Sequence, residues 1–413
     1  LIKRVNAKWI SESLKLEGEI KEYEDLNPFT SEQYETRPNF SLIFQDNYKG
    51  INFNLLSSYT KFAFDGSFNP FNKQKEITRK SIEPSLSFNK YFTSSSFSIA
   101  IGIEDLNYDI NSINFDRSSN WLETEYKLFF ENRSEQSYKS LNPTIKYILL
   151  NEESLPFESI DSRLMGLNYN NLFLRNWYSG PDRFLNQDRV ILGIEHQNLG
   201  LESDTNLSFS IGKAFFLKDE YNIGEKNKRT SPLVMEFKQQ LKNNLFTNGA
   251  LEIDSDFGRV HSGSFGLTYE RDEGKKIELR SIYKRLNPSI NNLPWFDKDL
   301  PISQLELLTQ WSISDQFTIF GKLLKDNEMH KSKDISFGFQ YSNCCMKAGL
   351  MKRKWKDQDY YNWYASPTEA FKALESGINP ELQRDNIYFF FELRDIGRIG
   401  KEISEVISST VLE

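Results

Sequence analysis

Positive charge is in the minority in this 413-residue chain: 51 Lys and Arg face 58 Asp and Glu, a formal net charge of −7. Nucleic-acid binders need a basic surface to neutralise phosphates, so the balance argues against that partner. Cysteine is nearly absent; two residues cannot make a disulfide framework. No apolar run approaches the ~20 residues of a membrane helix. No signal peptide is visible and residue 1 is Leu rather than Met, so the chain reads as mature, trimmed or a fragment. Proline (13) and glycine (21) are sparse, scattered among many Asn and Ser. Hydrophobic residues make up only 38%, low for a soluble chain of this length. Yet aromatics reach 14%, with 33 Phe and 19 Tyr, which excludes a disordered composition. A chain that is polar on average and rich in aromatics points to extended β structure with a single apolar face.

Period-2 alternation carries that reading. Phe97, Ile99, Ile101 and Ile103 alternate with Ser98, Ala100, Gly102 and Glu104. The same pattern recurs from Leu207 to Gly212, Ile335 to Ser342 and Ile387 to Arg394. It predicts about 19 strands: 1–9, 13–23, 38–45, 51–64, 82–89, 96–106, 120–130, 143–150, 187–196, 205–217, 233–241, 248–255, 262–271, 275–284, 302–312, 316–324, 333–342, 346–355 and 385–394. Many have the ~9–11 residues of a tilted membrane-spanning strand.

From residue 187 onward, connections alternate short and long. Asp272-Glu273-Gly274, Ser314-Asp315 and Asn343-Cys344-Cys345 are short; 285–301, 325–332 and 356–384 are long. Residues 151–186 make another long loop, and 131–142 interrupts the short side. Outer-membrane barrels have short periplasmic turns and long outer loops, whereas a sandwich has no reason to keep this parity. With short turns periplasmic, the first segment starts on the outer side. A closed barrel then implies an odd number of strands upstream, making this a C-terminal portion. The expectation is an all-β, transmembrane antiparallel barrel over 1–395 with a tail at 396–413. The tail has room for one short amphipathic turn.

Candidate chemistry is thin. His196, His261 and His330 are far apart and in no metal-ligand spacing. Asp254-Ser255-Asp256-Phe257-Gly258 has a faint calcium-loop look but lacks the final Glu, so a solvated loop is the plainer reading. No nucleophile elbow, P-loop or dinucleotide fingerprint occurs. The expectation is no catalytic residue, metal or cofactor. Ser366 as N-cap, Pro367, Glu369 and Gly377 predict a short surface helix. The stretch Arg175 to Arg183 (RNWYSGPDR) is dense in special residues. It fits an outer loop with Gly-Pro-Asp turn chemistry and, equally, an ordered loop folded into a barrel. Cys344 and Cys345 are the sharpest feature. Adjacent Cα atoms lie ~3.8 Å apart, too close for ordinary disulfide geometry. The pair reads either as two incidental small residues or, because unpaired thiols are a liability at a periplasmic turn, as thiols with partners upstream or on another protein.

The chain resembles the barrel domain of the lipopolysaccharide-assembly outer-membrane family, LptD. The resemblance is carried by Gln340-Tyr341-Ser342-Asn343-Cys344-Cys345 before a strand ending Lys352-Arg353, and by Tyr269-Glu270-Arg271-Asp272-Glu273 with Leu279 and Tyr283. Asp182-Arg183 with Asn186-Gln187, Phe391-Glu392-Leu393-Arg394, and the strands opened by Pro38, Pro84 and Pro143 add to it. It is best over 170–395, and the vicinal cysteines are its most specific part. The resemblance implies a barrel of about 26 strands, about seven of them upstream. It implies a periplasmic jellyroll domain, an LptE-type lipoprotein plug inside the barrel and a periplasmic bridge that delivers lipopolysaccharide (LPS). LPS would leave by a lateral seam at the last strand, here Ile387, Phe389, Phe391 and Leu393. Cys344 and Cys345 would bond to two cysteines in the N-terminal region. Polar residues Lys276, Glu278, Arg280, Glu392 and Arg394 would line a hydrated lumen. LPS transport in the outer membrane of a Gram-negative bacterium, not enzymatic, is the resulting expectation. The alternatives are a porin or channel, with the same alternation but no need of the cysteines, and a soluble all-β binding protein.

Overall fold

The computed structural model describes residues 2–23, 35–63, 76–110, 113–151, 160, 162, 165–182, 187–200, 206–217, 229–254, 258–271, 274–285, 302–327, 331–356, 383–393 and 397–399. Among them, 21 strands hydrogen-bond into one sheet. The strands β1 (Ile2–Ile10), β2 (Leu14–Tyr23), β3 (Glu35–Tyr48), β4 (Ile51–Ala63), β5 (Glu76–Tyr91), β6 (Ser95–Ile110) and β7 (Ile113–Leu128) lie in a first compact unit. The next five, β8 (Phe130–Arg133), β9 (Ser137–Asn151), β10 (Gln187–Gly200), β11 (Asn206–Phe216) and β12 (Leu233–Lys242), contribute residues to both units. The second unit continues with β13 (Leu245–Ile253), β14 (Val260–Arg271), β15 (Lys275–Lys284), β16 (Ile302–Ser312), β17 (Phe317–Asp326), β18 (Lys331–Ser342), β19 (Met346–Lys356), β20 (Gln383–Leu393) and β21 (Gly397–Ile399). One four-residue helix, α1 (Tyr169–Leu172), is described. Sequence neighbours pair antiparallel, as in β6 with β7 and β18 with β19, which is the wall of an up-and-down β-barrel. No described helix is long and apolar enough to cross a membrane.

The two strands beyond the expected 19 are the short pieces β8 and β21; the latter falls within the stretch read as a tail. The interruption expected at 131–142 is not a long connection. Ser134 N–H bonds Ser137 O at 2.9 Å, closing a tight turn between β8 and β9. Between the expected strands 96–106 and 120–130 the ladder continues, Leu106 to Ile110 pairing with Arg117 to Ile113. The expected surface helix at 366–377 lies outside the described residues.

The long strands explain why their ends escaped the pattern. On β6, Ile101 and Ile103 are 54% and 44% exposed while Gly102 and Glu104, on the alternate face, are buried. Five residues on, the polarity reverses: Leu106, Tyr108 and Ile110 are buried, and Asp105 and Asp109 are exposed. The neighbouring strands reverse at the same level. Exposed Ile82, Leu86 and Phe88 on β5 give way to exposed Glu76 and Lys80, with Ile77 buried behind them. On β7, Tyr126 gives way to exposed Asn120, Ser118 and Asp116. An apolar belt facing outward belongs against lipid, and a polar one against water. Beyond the belt, Phe62, Ile77, Leu106, Tyr108 and Ile110 form a core on the opposite, inner face.

In the second unit the same inversion holds without a core of that size. Phe265, Leu305, Leu323, Ile335, Phe337, Phe339 and Phe389 are exposed on one face. The facing-away positions carry buried Glu278, Glu306, Lys322, Asp334 and Arg353. Among the described residues, Phe320 and Met351, with Tyr388, make a small apolar cluster there.

Candidate functional site

Two constellations stand on the polar sides of these units. In the first, residues 165–182 fold back onto the inner face. Asn168 caps α1, its Oδ1 accepting from Asn171 N–H at 2.7 Å. Trp177 is 2% exposed and packs with Leu172 against Ile148, Ile191, Ala214, Phe216 and Val234. Its indole donates to Leu172 O at 3.3 Å, and its ring meets Phe216 edge-on at 6.1 Å. Two glycines make the seat. A methyl at Gly193 would stand 2.5 Å from Phe173 Cζ, and one at Gly212 2.8 Å from Leu172 Cδ2. Burial raises the Tyr169 phenol above its usual range, helped by the carboxylates of Glu195 and Glu125.

Polar ties hold the rest of the loop. Asp182, its side chain fully buried, accepts from Arg79 Nη1 at 2.8 Å, Tyr108 Oη at 2.6 Å and Ile160 N–H at 3.0 Å. Arg117 donates to Pro181 O at 2.6 Å and Asp182 O at 3.3 Å. Arg175 pairs with Glu83 at 2.6 Å and lies 4.0 Å over the Trp121 ring. Lys146 donates to Phe173 O at 2.9 Å and pairs with Glu123 at 2.7 Å. Arg189 covers Trp177 at 4.7 Å and donates to Arg175 O at 3.1 Å. Of the two readings for 175–183, the folded-in one holds for Arg175 to Asp182; Arg183 is outside the described residues. Sequence inspection missed Arg79, Tyr108, Arg117 and Arg189, whose only mark was a polar or aromatic side chain on an alternating strand.

In the second unit, Lys276, Glu278 and Arg280 share one face of β15. Glu278 meets Lys276 at 3.2 Å and Arg280 at 2.5 Å. Arg280 reaches Glu306 at 3.7 Å, Glu306 reaches Lys322 at 3.3 Å, and Lys322 reaches Asp334 at 3.4 Å. Arg353 closes the ladder with two bonds to Asp334, at 2.9 and 3.1 Å. The Lys322 side chain is fully buried, so each charge there needs its partner. Glu392 on β20 stands opposite Lys347 in register. Arg394 is outside the described residues. Ile387 and Phe389 are 69% and 60% exposed, and Leu393 is exposed on the same face; Phe391 is half-buried.

Cys344 and Cys345 form the turn between β18 and β19, both exposed, their sulfurs 2.6 Å apart. Asn343 builds the turn: its Oδ1 accepts from Cys345 and Met346 N–H at 2.9 and 2.8 Å. His196 and His261 stand on β10 and β14, the latter 3.9 Å from Asp254; His330 is outside the described residues. Asp254 and Gly258 bound a stretch whose middle is also outside them. Among the described residues no cluster of three metal-ligating side chains occurs.

These features can be set against known proteins. Among solved structures, the siderophore receptor PirA of Acinetobacter baumannii aligns with a TM-score of 0.45 and 9% identity, covering 94% of this chain and 70% of that one. BauA, the ferric preacinetobactin receptor of the same organism, has 0.42 and 11%, with the same coverage. Sequence likeness runs elsewhere. The LPS-assembly protein LptD of Shewanella sp. (strain MR-4) is 25% identical over 343 residues, 78% of this chain and 43% of the relative. That of Pseudomonas syringae pv. syringae (strain B728a) is 22% identical over 309 residues, covering 68% and 32%. The chain thus spans less than half the length of these relatives. The model of the family LptD, LPS transport system D, matches residues 1–317, well over half of the sequence, and the chain belongs to that family.

Proposed function

We propose that this chain is barrel wall of an LPS-assembly protein in the outer membrane of a Gram-negative bacterium, and that it works in LPS transport and insertion into the outer leaflet. The observation that carries the reading is the reversed polarity, apolar side chains exposed on one face and a buried charge ladder on the other, in a chain of the LptD family. The charged face, with Lys276, Glu278, Arg280 and Glu392, lines a lumen wet enough for the sugars. The exposed face of β20, with Ile387, Phe389, Phe391 and Leu393, borders the seam by which acyl chains stay in lipid. Transport of this kind breaks no covalent bond, so no catalytic group is required. The partners are LPS, an LptE-type lipoprotein within the lumen and a periplasmic bridge reached through sequence outside this chain.

Depletion of the protein in cells tests it. LPS should disappear from the surface and accumulate inside, as measured by surface labelling. Unchanged display together with lost uptake of small solutes would replace this reading by that of a porin.

A further inference from the structure

The polar side of the second unit holds a groove of about 650 Å³ that shares only Glu278 with the charge ladder and lies apart from the cysteine turn. Its walls include the polar Gln197, Asn206, Gln240, Asn248 and Thr268, with Phe246, Leu199 and Leu207 as apolar lining. These come from β10 to β14, near the end where the turn at 243–244 joins β12 to β13. The chemistry is narrow. Amides offer a donor and an acceptor side by side, which matches neighbouring hydroxyls on a sugar ring. Phe246, 36% exposed, supplies one apolar surface, which suits the C–H face of a hexose. Asn206 Nδ2 donates to Gln240 Oε1 at 3.0 Å, fixing both amides and leaving their other atoms for a ligand.

The backbone beneath is shaped to the same end. The Asn248 carboxamide occupies the space that a methyl on Gly266 would need. Glycine at 266 therefore lets Asn248 lie down across β14. Charge narrows the ligand further. The lining charges are Lys238, Glu270 and Glu278, and Glu278 is already tied to Lys276 and Arg280. Lys238 balanced by Glu270 leaves no surplus positive charge to hold a phosphate.

We infer that this groove is a binding site for uncharged hexose units, a station on the lumen wall for the neutral part of a saccharide chain. It rests on the LPS-transport reading and adds to it a place and a charge preference. The test uses the purified full-length protein in detergent, with glucose trisaccharide as the neutral probe and glucose 6-phosphate as the charged one, read by saturation-transfer NMR. Saturable transfer to the trisaccharide is expected, at least tenfold weaker in Gln240→Ala and Asn248→Ala. Gly266→Ala, which removes no sugar contact, should weaken it comparably by displacing Asn248. Folding of each variant is checked by its heat-dependent gel mobility, and Thr268→Val carries the test if the alanine variants do not fold. No transfer to wild type, equal or stronger binding of glucose 6-phosphate, or variants that bind as wild type would each overturn the site. Those results leave the surface-display test untouched, so the groove and the transport reading fail separately.

Discussion

At Asp182 one carboxylate answers to two strands and its own loop, through Tyr108, Arg79 and the Ile160 amide. Breaking a buried ion pair by removing one partner costs about 3–5 kcal/mol, because the remaining charge is stranded away from water. Asp182→Asn should therefore release residues 160–182. Limited proteolysis should cut within that segment at least tenfold faster, while the strands resist as before; equal cleavage would show that the Trp177 contacts suffice alone. Gly193 makes a second test. Alanine there drives a methyl into Phe173 and Tyr169, an overpacking worth about 1–3 kcal/mol. Gly193→Ala should expose the same segment, and Phe173→Leu added to it should restore part of the protection. Little of this was legible beforehand. Gly180-Pro181-Asp182 announced a turn, but Arg79 and Tyr108 lie 103 and 74 residues away in sequence, and nothing local links them to it.

Strands were the most legible level, because a period of two is imposed wherever one face meets lipid and the other does not. Their ends were hidden for a physical reason. On β5, β6 and β7 the apolar positions switch faces above Glu104, so a pattern that assigns apolar residues to one side stops there although the backbone continues to Ile110. The switch is testable within one strand. A charge on the lipid face costs about 2–4 kcal/mol near the middle of a bilayer and almost nothing at its edge. Ile101→Lys should lower the unfolding midpoint in guanidinium, measured in lipid vesicles, whereas Asp105→Lys should leave it within error. Equal losses would place the two residues in the same surroundings.

At the largest scale, Cys344 and Cys345 are the two cysteines of this chain and both are exposed, so any lasting disulfide across domains must reach beyond it. The full-length protein should migrate differently with and without reductant, and the shift should vanish in Cys344→Ser/Cys345→Ser. Persistence of the shift would assign the bonds to other cysteines. The barrel architecture and the family were legible from alternation, turn parity and the cysteine motif. The inward loop was legible only as an open choice, since composition cannot say which way a loop folds. The charge ladder was half visible: Lys276, Glu278 and Arg280 stand close together in sequence, but Glu306, Lys322, Asp334 and Arg353 meet only through the register of four strands. The step at Glu104 has a further meaning. The six residues from Asp105 to Ile110 run about 20 Å along the strand, or roughly 15 Å of height at the usual barrel tilt. The wall there stands above the hydrocarbon like a parapet, about as tall as a few sugar rings. In the transport proposed above, cargo that clears it would already be at the level of the surface glycan, with its oily end still below.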